Sequence, residues 1–136
     1  MNRHYYKNYQ CTHDIDWFFK YNNHYYHIAS NCGLIPNNIN ISTNRNLQHE
    51  IANLQEITEA VLVIDNADGL DLSSFEEFAR KGFISLDRED GSFEDRNYFV
   101  VAVPKNGETP PKSIIEKIPE MDIKMLGEII HGREYI

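Results

Sequence analysis

The feature that most constrains the fold is a pair of aromatic and β-branched runs separated by two asparagines. Residues 15–21 and 24–30 are rich in side chains that favour strands, and Asn22-Asn23 tolerates the positive φ angles of a two-residue turn. The sequence therefore predicts a β-hairpin. Its expected cross-strand pairs are Tyr21 with His24, Phe19 with Tyr26, Trp17 with Ile28 and Asp16 with Ala29.

The predicted hairpin has two faces of different chemistry, because side chains alternate along a strand. One face is expected to pack on the core and consists of Ile15, Trp17, Phe19, Tyr26 and Ile28. The other face is expected to be polar and turned toward solvent. It consists of Asp14, Asp16, Phe18, Lys20, Tyr25, His27 and Asn31.

Length and element pattern indicate the fold class. A chain of 136 residues suits a single domain with a sizeable core. We expect an α+β domain over residues 1–136, with a mainly antiparallel sheet of two hairpins plus a central strand and two or three short helices packed on it. Residues 1–12 are expected to form a mobile N-terminal arm.

Two helices are predicted from periodicity and end signals. Between Ser42 and Gln55, Leu47, Ile51 and Leu54 form one apolar stripe, and Ser42 or Thr43 can cap the helix. A second helix is predicted from about Ser74 to Lys81. Its signals are a capping box of Ser73 and Glu76 and a C-terminal Gly82.

The remaining elements follow from apolar runs and turn residues. Val61 to Ile64 is predicted as a buried strand, and Phe83 to Asp87 with Tyr98 to Val103 as a second antiparallel hairpin. Lys112 to Lys117 is predicted as a short helix after two prolines. The run from Ile123 to Ile130 is compatible with a strand or a helix, because periodicity does not separate the two.

Charge and cysteine content restrict the partners and the compartment. The first 56 residues are neutral overall, so residues 57–136 carry the entire net charge of −8. An acidic surface repels phosphate backbones, which argues against nucleic acid as a partner and leaves open a protein partner with a basic patch.

Two cysteines make no disulfide framework, and no apolar stretch reaches the ~18 residues of a membrane span. We expect a soluble cytoplasmic protein without membrane contact.

One group of ionisable residues could support catalysis. Asp14, Asp16 and His27 share the polar hairpin face, and with His13 they could ligate a divalent metal and form a metal-assisted hydrolase. Cys32 could approach His27 or His13 and act as a nucleophile. No glycine-rich phosphate loop, zinc-finger spacing or nucleophile elbow is present, so no cofactor is expected and an enzyme is the less favoured class.

A binding function is the leading interpretation. The first third of the chain is rich in Tyr, His and Asn, which supply contact area and adaptable hydrogen bonds at protein interfaces. The expected binding surface consists of Tyr21, His24, Tyr25 and His27. A structural homo-oligomer that associates through the hairpin is a further alternative. A concave pocket with converging carboxylates and imidazole would favour the enzyme, and a flat aromatic patch would favour binding.

Overall fold

The computed structural model describes residues 4–65 and 69–136. Two 3₁₀ helices lie at Ile123–Met125 and Arg133–Tyr135. Among the described residues no helix has the length and apolar character needed to cross a membrane. The helices and strands in chain order are α1 (Lys7–Gln10), β1 (Asp16–Tyr21), β2 (His24–Ala29), α2 (Ile41–Ala52), β3 (Ala60–Leu62), α3 (Ser73–Arg80), β4 (Ile84–Arg88), β5 (Asn97–Pro104), α4 (Lys112–Ile115) and β6 (Glu128–His131).

The protein is a single small α+β domain built on one open, mixed sheet. The strand order is β1-β2-β4-β5-β3, and β6 also pairs with β5. The expectation of a mainly antiparallel sheet is partly wrong, since β2 pairs with β4 and β5 with β6 in parallel. These parallel pairs join strands distant in sequence, so no local turn signal reports them.

The first hairpin has the predicted register. Tyr21 pairs with His24 and Trp17 with Ile28. Asn22 and Asn23 have φ angles of 55° and 63°, as a turn of type I′ requires. The strand signal and the turn signal agree here, so the register is fixed locally.

Both faces of the hairpin are covered, which corrects the expectation of a solvent-facing polar face. The apolar face lies in the larger core as predicted. The other face packs under the helices, where fully buried Phe18 contacts Leu47, Ile51 and Phe83. Because β2 also pairs with β4, β2 lies inside the sheet while β1 forms its edge, and parallel pairing occurs where both faces of a sheet are covered.

Helix α3 ends as predicted but begins differently. Gly82 has a φ of 102°, and the N–H of Phe83 donates to the carbonyl of Phe78, which together form a Schellman-type end. The predicted capping box is absent because the Ser73 hydroxyl donates to the carboxylate of Asp71 at 2.7 Å. Helix α2 likewise starts earlier than expected, with a side-chain cap from Asn40 in place of Ser42 or Thr43.

The predicted central strand at residues 61–64 is wrong in position. Strand β3 lies at the edge of the sheet, and Val61 and Leu62 are 38% and 41% exposed. A β-branched run indicates a strand but not its place in a sheet, because the neighbours that bury it are set by the whole fold.

The C-terminal half contains the other predicted elements. Strands β4 and β5 pair antiparallel as expected for the second hairpin, and α4 forms within the predicted helical stretch. The ambiguous run at residues 123–130 divides into a 3₁₀ turn followed by β6.

The segment expected as an N-terminal arm contacts the rest of the domain over its described part. Tyr5 and Gln10 are both 4% exposed. The Gln10 side chain donates to the Tyr5 carbonyl at 2.6 Å and accepts from the N–H of Ile35 at 2.7 Å. The bond to Ile35 fastens α1 to the segment between β2 and α2.

Candidate functional site

His27 lies at the centre of a buried hydrogen-bonded chain. Its Nε2 is 2.7 Å from Oδ1 of Asp16, and its Nδ1 is 2.6 Å from Oγ of Ser85. A carboxylate oxygen accepts, so Nε2 carries the proton that it donates to Asp16, and we assign the second contact as a hydrogen bond from the serine hydroxyl to Nδ1. The Phe78 ring stacks on the imidazole with centroids 3.7 Å apart.

The Ser85, His27 and Asp16 side chains have the composition of a hydrolytic triad, but a substrate cannot reach the serine hydroxyl. Ser85 is fully buried on β4, where it pairs with His27 of β2. A nucleophile must reach the reacting carbon of a substrate, and Ser85 has no exposed surface. The chain is therefore a structural link that connects β1, β2 and β4.

The structure brings together only one pair of the predicted metal ligands. Asp14 forms no hydrogen bond with this pair and accepts instead from the N–H of Asn31 at 2.8 Å, and His13 stacks on Tyr9 with centroids 3.8 Å apart. Within residues 4–65 and 69–136, no group of three or more His, Cys, Asp or Glu side chains is placed to hold a metal ion. Cys32 is half-buried, with a positive φ of 59°.

The predicted binding residues are dispersed. His24 is exposed at the hairpin tip, Tyr21 is half-buried, and Tyr25 packs against the helical core. His27 is 1% exposed, so a partner cannot reach it without rearrangement.

A cleft of about 410 Å³ lies on the helical side of the domain. The end of α1, the start of β1 and one side each of α2 and α3 form its walls. Nine of its twelve lining residues come from the first third of the chain or the helix directly after it. The lining residues are Tyr5, Tyr9, His13, Asp14, Ile15, Asp16, Arg45, Gln48, Ala52, Glu77, Phe78 and Lys81.

One wall of the cleft is a stack of aromatic rings. Tyr5 and Tyr9 stack with centroids 5.8 Å apart, and Tyr9 stacks on His13. The three rings recur every four residues, which places them on one side of a helical turn. Sequence reasoning missed this wall, although the spacing of four was visible in the chain.

Three carboxylates border the cleft, and each uses one oxygen within the protein. Asp16 accepts from His27, Asp14 from Asn31, and Glu77 from Lys81 at 3.3 Å. The second oxygen of each has no hydrogen-bond partner among the described residues. The side chains of Asp16 and Glu77 are 47% and 52% exposed, so these oxygens are accessible.

The two cations of the cleft differ in role. Lys81 is 3% exposed, and its Nζ donates to the carbonyls of Ile51 and Ala52 at the end of α2. It therefore caps that helix, where a positive charge is favourable. Arg45 is exposed and forms no ion pair with the described residues. Sequence reasoning also missed Arg45, Glu77 and Lys81.

A further carboxyl lies close to Asp14. Burial of Asp87 raises its pKa to about 6, and the N–H of Arg88, which donates to it, opposes this shift. The negative charges of Asp14 and Asp90 also contribute to the raised pKa. Asp87 is thus a carboxyl group whose charge changes in mildly acidic solution.

Comparison with known proteins gave no relative. The chain matches no known protein family, and neither the curated proteins nor the solved structures contain a significant match.

Proposed function

We propose that this domain is a binding module that recognises a protein partner through the cleft, which is built mainly from the Tyr- and His-rich first third of the chain. The observation that carries the proposal is the convergence of accessible aromatic, carboxylate and guanidinium groups in one concave space. Tyrosine and arginine are the residue types that contribute most to protein interfaces.

The chemistry of the buried chain supports binding over hydrolysis. Ser85 is fully buried, and among residues 4–65 and 69–136 the accessible Asp16 is not accompanied by the further ligands that a hydrolytic metal needs. The net charge of −8 disfavours a nucleic acid as the partner. We place the module in the cytoplasm, since Cys11 and Cys32 are free thiols, which persist in a reducing compartment.

Site-specific photo-crosslinking tests the proposal. A photoreactive amino acid is placed at Arg45 or Gln48 in the cleft and, as the matched control, at Asn38, which is exposed and does not line the cleft. Crosslinking is done in the cells that produce this protein. Each crosslinked protein is identified, purified and mixed with the domain for calorimetric titration.

We expect one protein to crosslink from both cleft positions and not from position 38. The purified pair should bind, and Tyr9→Leu should weaken that binding. Identical crosslinks from all three positions, or none from the cleft, would overturn the proposal. Crosslinks to a second copy alone would replace it with self-association.

A further inference from the structure

We infer that the cleft takes up a basic side chain of the partner, an arginine or a lysine, between its carboxylates and its aromatic wall. This inference rests on the proposed function and adds the chemical class of the group that is recognised. It draws on three separate features of the cleft: its concave shape, its stacked rings, and its carboxylate oxygens that have no hydrogen-bond partner within the described part of the chain.

The carboxylates are placed to pair with a cation without loss of their own contacts. Asp14, Asp16 and Glu77 line the same space, and each has a second carboxylate oxygen without a hydrogen-bond partner among the described residues. A carboxylate bound through one oxygen stays oriented while the other accepts from a guanidinium or an ammonium group. Lys81, the buried cation of the cleft lining, donates to two helix carbonyls and to Oε1 of Glu77, so Oε2 of Glu77 is the oxygen left available to a ligand.

The aromatic wall supplies the second element of cation recognition. Tyr9 is 39% exposed and lies between Tyr5 and His13 in the stack. Both faces of Tyr9 carry a neighbouring ring, so a guanidinium plane or an ammonium group would stack at the exposed end of the stack, on His13. Exposed aromatic surface beside accessible carboxylates favours a cation over a phosphate or a carboxylate.

Arg45 provides a control of opposite sign. Its side chain lines the same cleft and forms no ion pair with the described residues. A cationic ligand would be repelled by Arg45 and an anionic one attracted. The effect of removing this charge therefore reports the sign of the ligand.

The experiment uses Nα-acetyl-arginine amide as the probe and follows the amide resonances of the full chain by NMR. The matched probe is Nα-acetyl-citrulline amide, which keeps the shape of the arginine side chain and lacks its charge.

The variants change one group of the cleft at a time. Glu77→Gln and Asp16→Asn remove carboxylate charge while keeping an acceptor oxygen. Glu76→Gln changes the adjacent residue, which does not line the cleft. Tyr9→Leu is matched by Tyr6→Leu, since Tyr6 is 75% exposed and also outside the cleft.

We expect the arginine probe to cause saturable chemical-shift changes in the amide resonances of the cleft residues. The citrulline probe should bind more weakly. Glu77→Gln and Asp16→Asn should each weaken arginine binding about two- to fivefold, the size of an exposed ion pair. Glu76→Gln and Tyr6→Leu should leave binding unchanged, and Arg45→Ala should not weaken it. The spectra themselves report whether each variant is folded.

Equal binding of both probes, no saturable shift, or weaker arginine binding by Arg45→Ala would each overturn the inference. These results leave the proposed function standing if a partner still crosslinks from the cleft. If no protein crosslinks from the cleft, the proposed function is wrong, whatever the arginine titration shows. Failure of the inference and failure of the proposed function are therefore distinguishable.

Discussion

His27 and Asp16 are joined by a hydrogen bond of 2.7 Å across the first hairpin, with the imidazole buried and the carboxylate half-exposed. The bond runs from the interior of the sheet to the cleft. Asp16 therefore connects the buried hydrogen-bonded chain to the surface at which we propose binding. One of its carboxylate oxygens accepts from His27, and the residue itself lines the cleft.

Trp17 and Asp16 should differ sharply in their contribution to stability. Trp17 is fully buried and its indole N–H has no hydrogen-bond partner among the described residues, so apolar packing alone holds it. Trp17→Ala should lower the free energy of unfolding by roughly 3–5 kcal/mol, and Asp16→Asn by less than about 1 kcal/mol. Urea denaturation measures both. Equal losses would mean that the two faces of β1 are reversed.

Ser85 should stabilise the fold without contributing to catalysis. Ser85→Ala removes the hydroxyl that donates to Nδ1 of His27 and leaves a buried acceptor unpaired. We expect the free energy of unfolding to fall by about 1–3 kcal/mol. Hydrolysis of p-nitrophenyl acetate should be the same for both proteins. A serine-dependent hydrolysis rate would contradict the structural assignment.

Gly82 should tolerate no side chain. Its φ is +102°, and an added Cβ would lie 2.5 Å from the backbone of Thr109 and Pro110. Gly82→Ala should therefore lower the free energy of unfolding by more than about 1 kcal/mol. Gly107→Ala is the matched control, because Gly107 also has a positive φ but open space around its Cβ position. Similar thermal midpoints for the two variants would argue against the close approach of α3 and residues 109–110.

Asp87 should make stability depend on pH. Its pKa is raised from 3.8 to about 6 in the folded protein, so between these values the folded state binds more protons than the unfolded state. Stability should therefore fall as pH rises through this window. Asp87→Asn keeps an acceptor for the Arg88 N–H and should remove this part of the pH dependence. Urea midpoints of the two proteins across the window provide the test, and parallel curves would show that Asp87 is not the group responsible.

Local signals in the sequence were sufficient for parts of the fold. Asn22-Asn23 between alternating aromatic residues gave the correct hairpin register, and Gly82 marked the end of α3. Each of these features is determined by residues within a few positions of one another. The capping prediction at Ser73 failed because Asp71, two residues away, binds the same hydroxyl.

Contacts between distant segments could not be predicted in the same way. The parallel pairing of His27 with Ser85 joins residues far apart in the chain and buries a face that alternation alone assigned to solvent. The cleft has the same origin, since Glu77 of α3 and Lys81, which directly follows α3, line it together with residues of the first hairpin. Only its aromatic wall had a local signal, the spacing of four between Tyr5, Tyr9 and His13.

The central claim is that the cleft is the surface through which this domain binds a protein. Crosslinking from Gln48 compared with crosslinking from Asn38 measures this most directly. The account predicts one protein captured from position 48 alone, whose purified form binds the domain and loses affinity with Tyr9→Leu. The same proteins captured from both positions, with affinity unaffected by Tyr9→Leu, would contradict it.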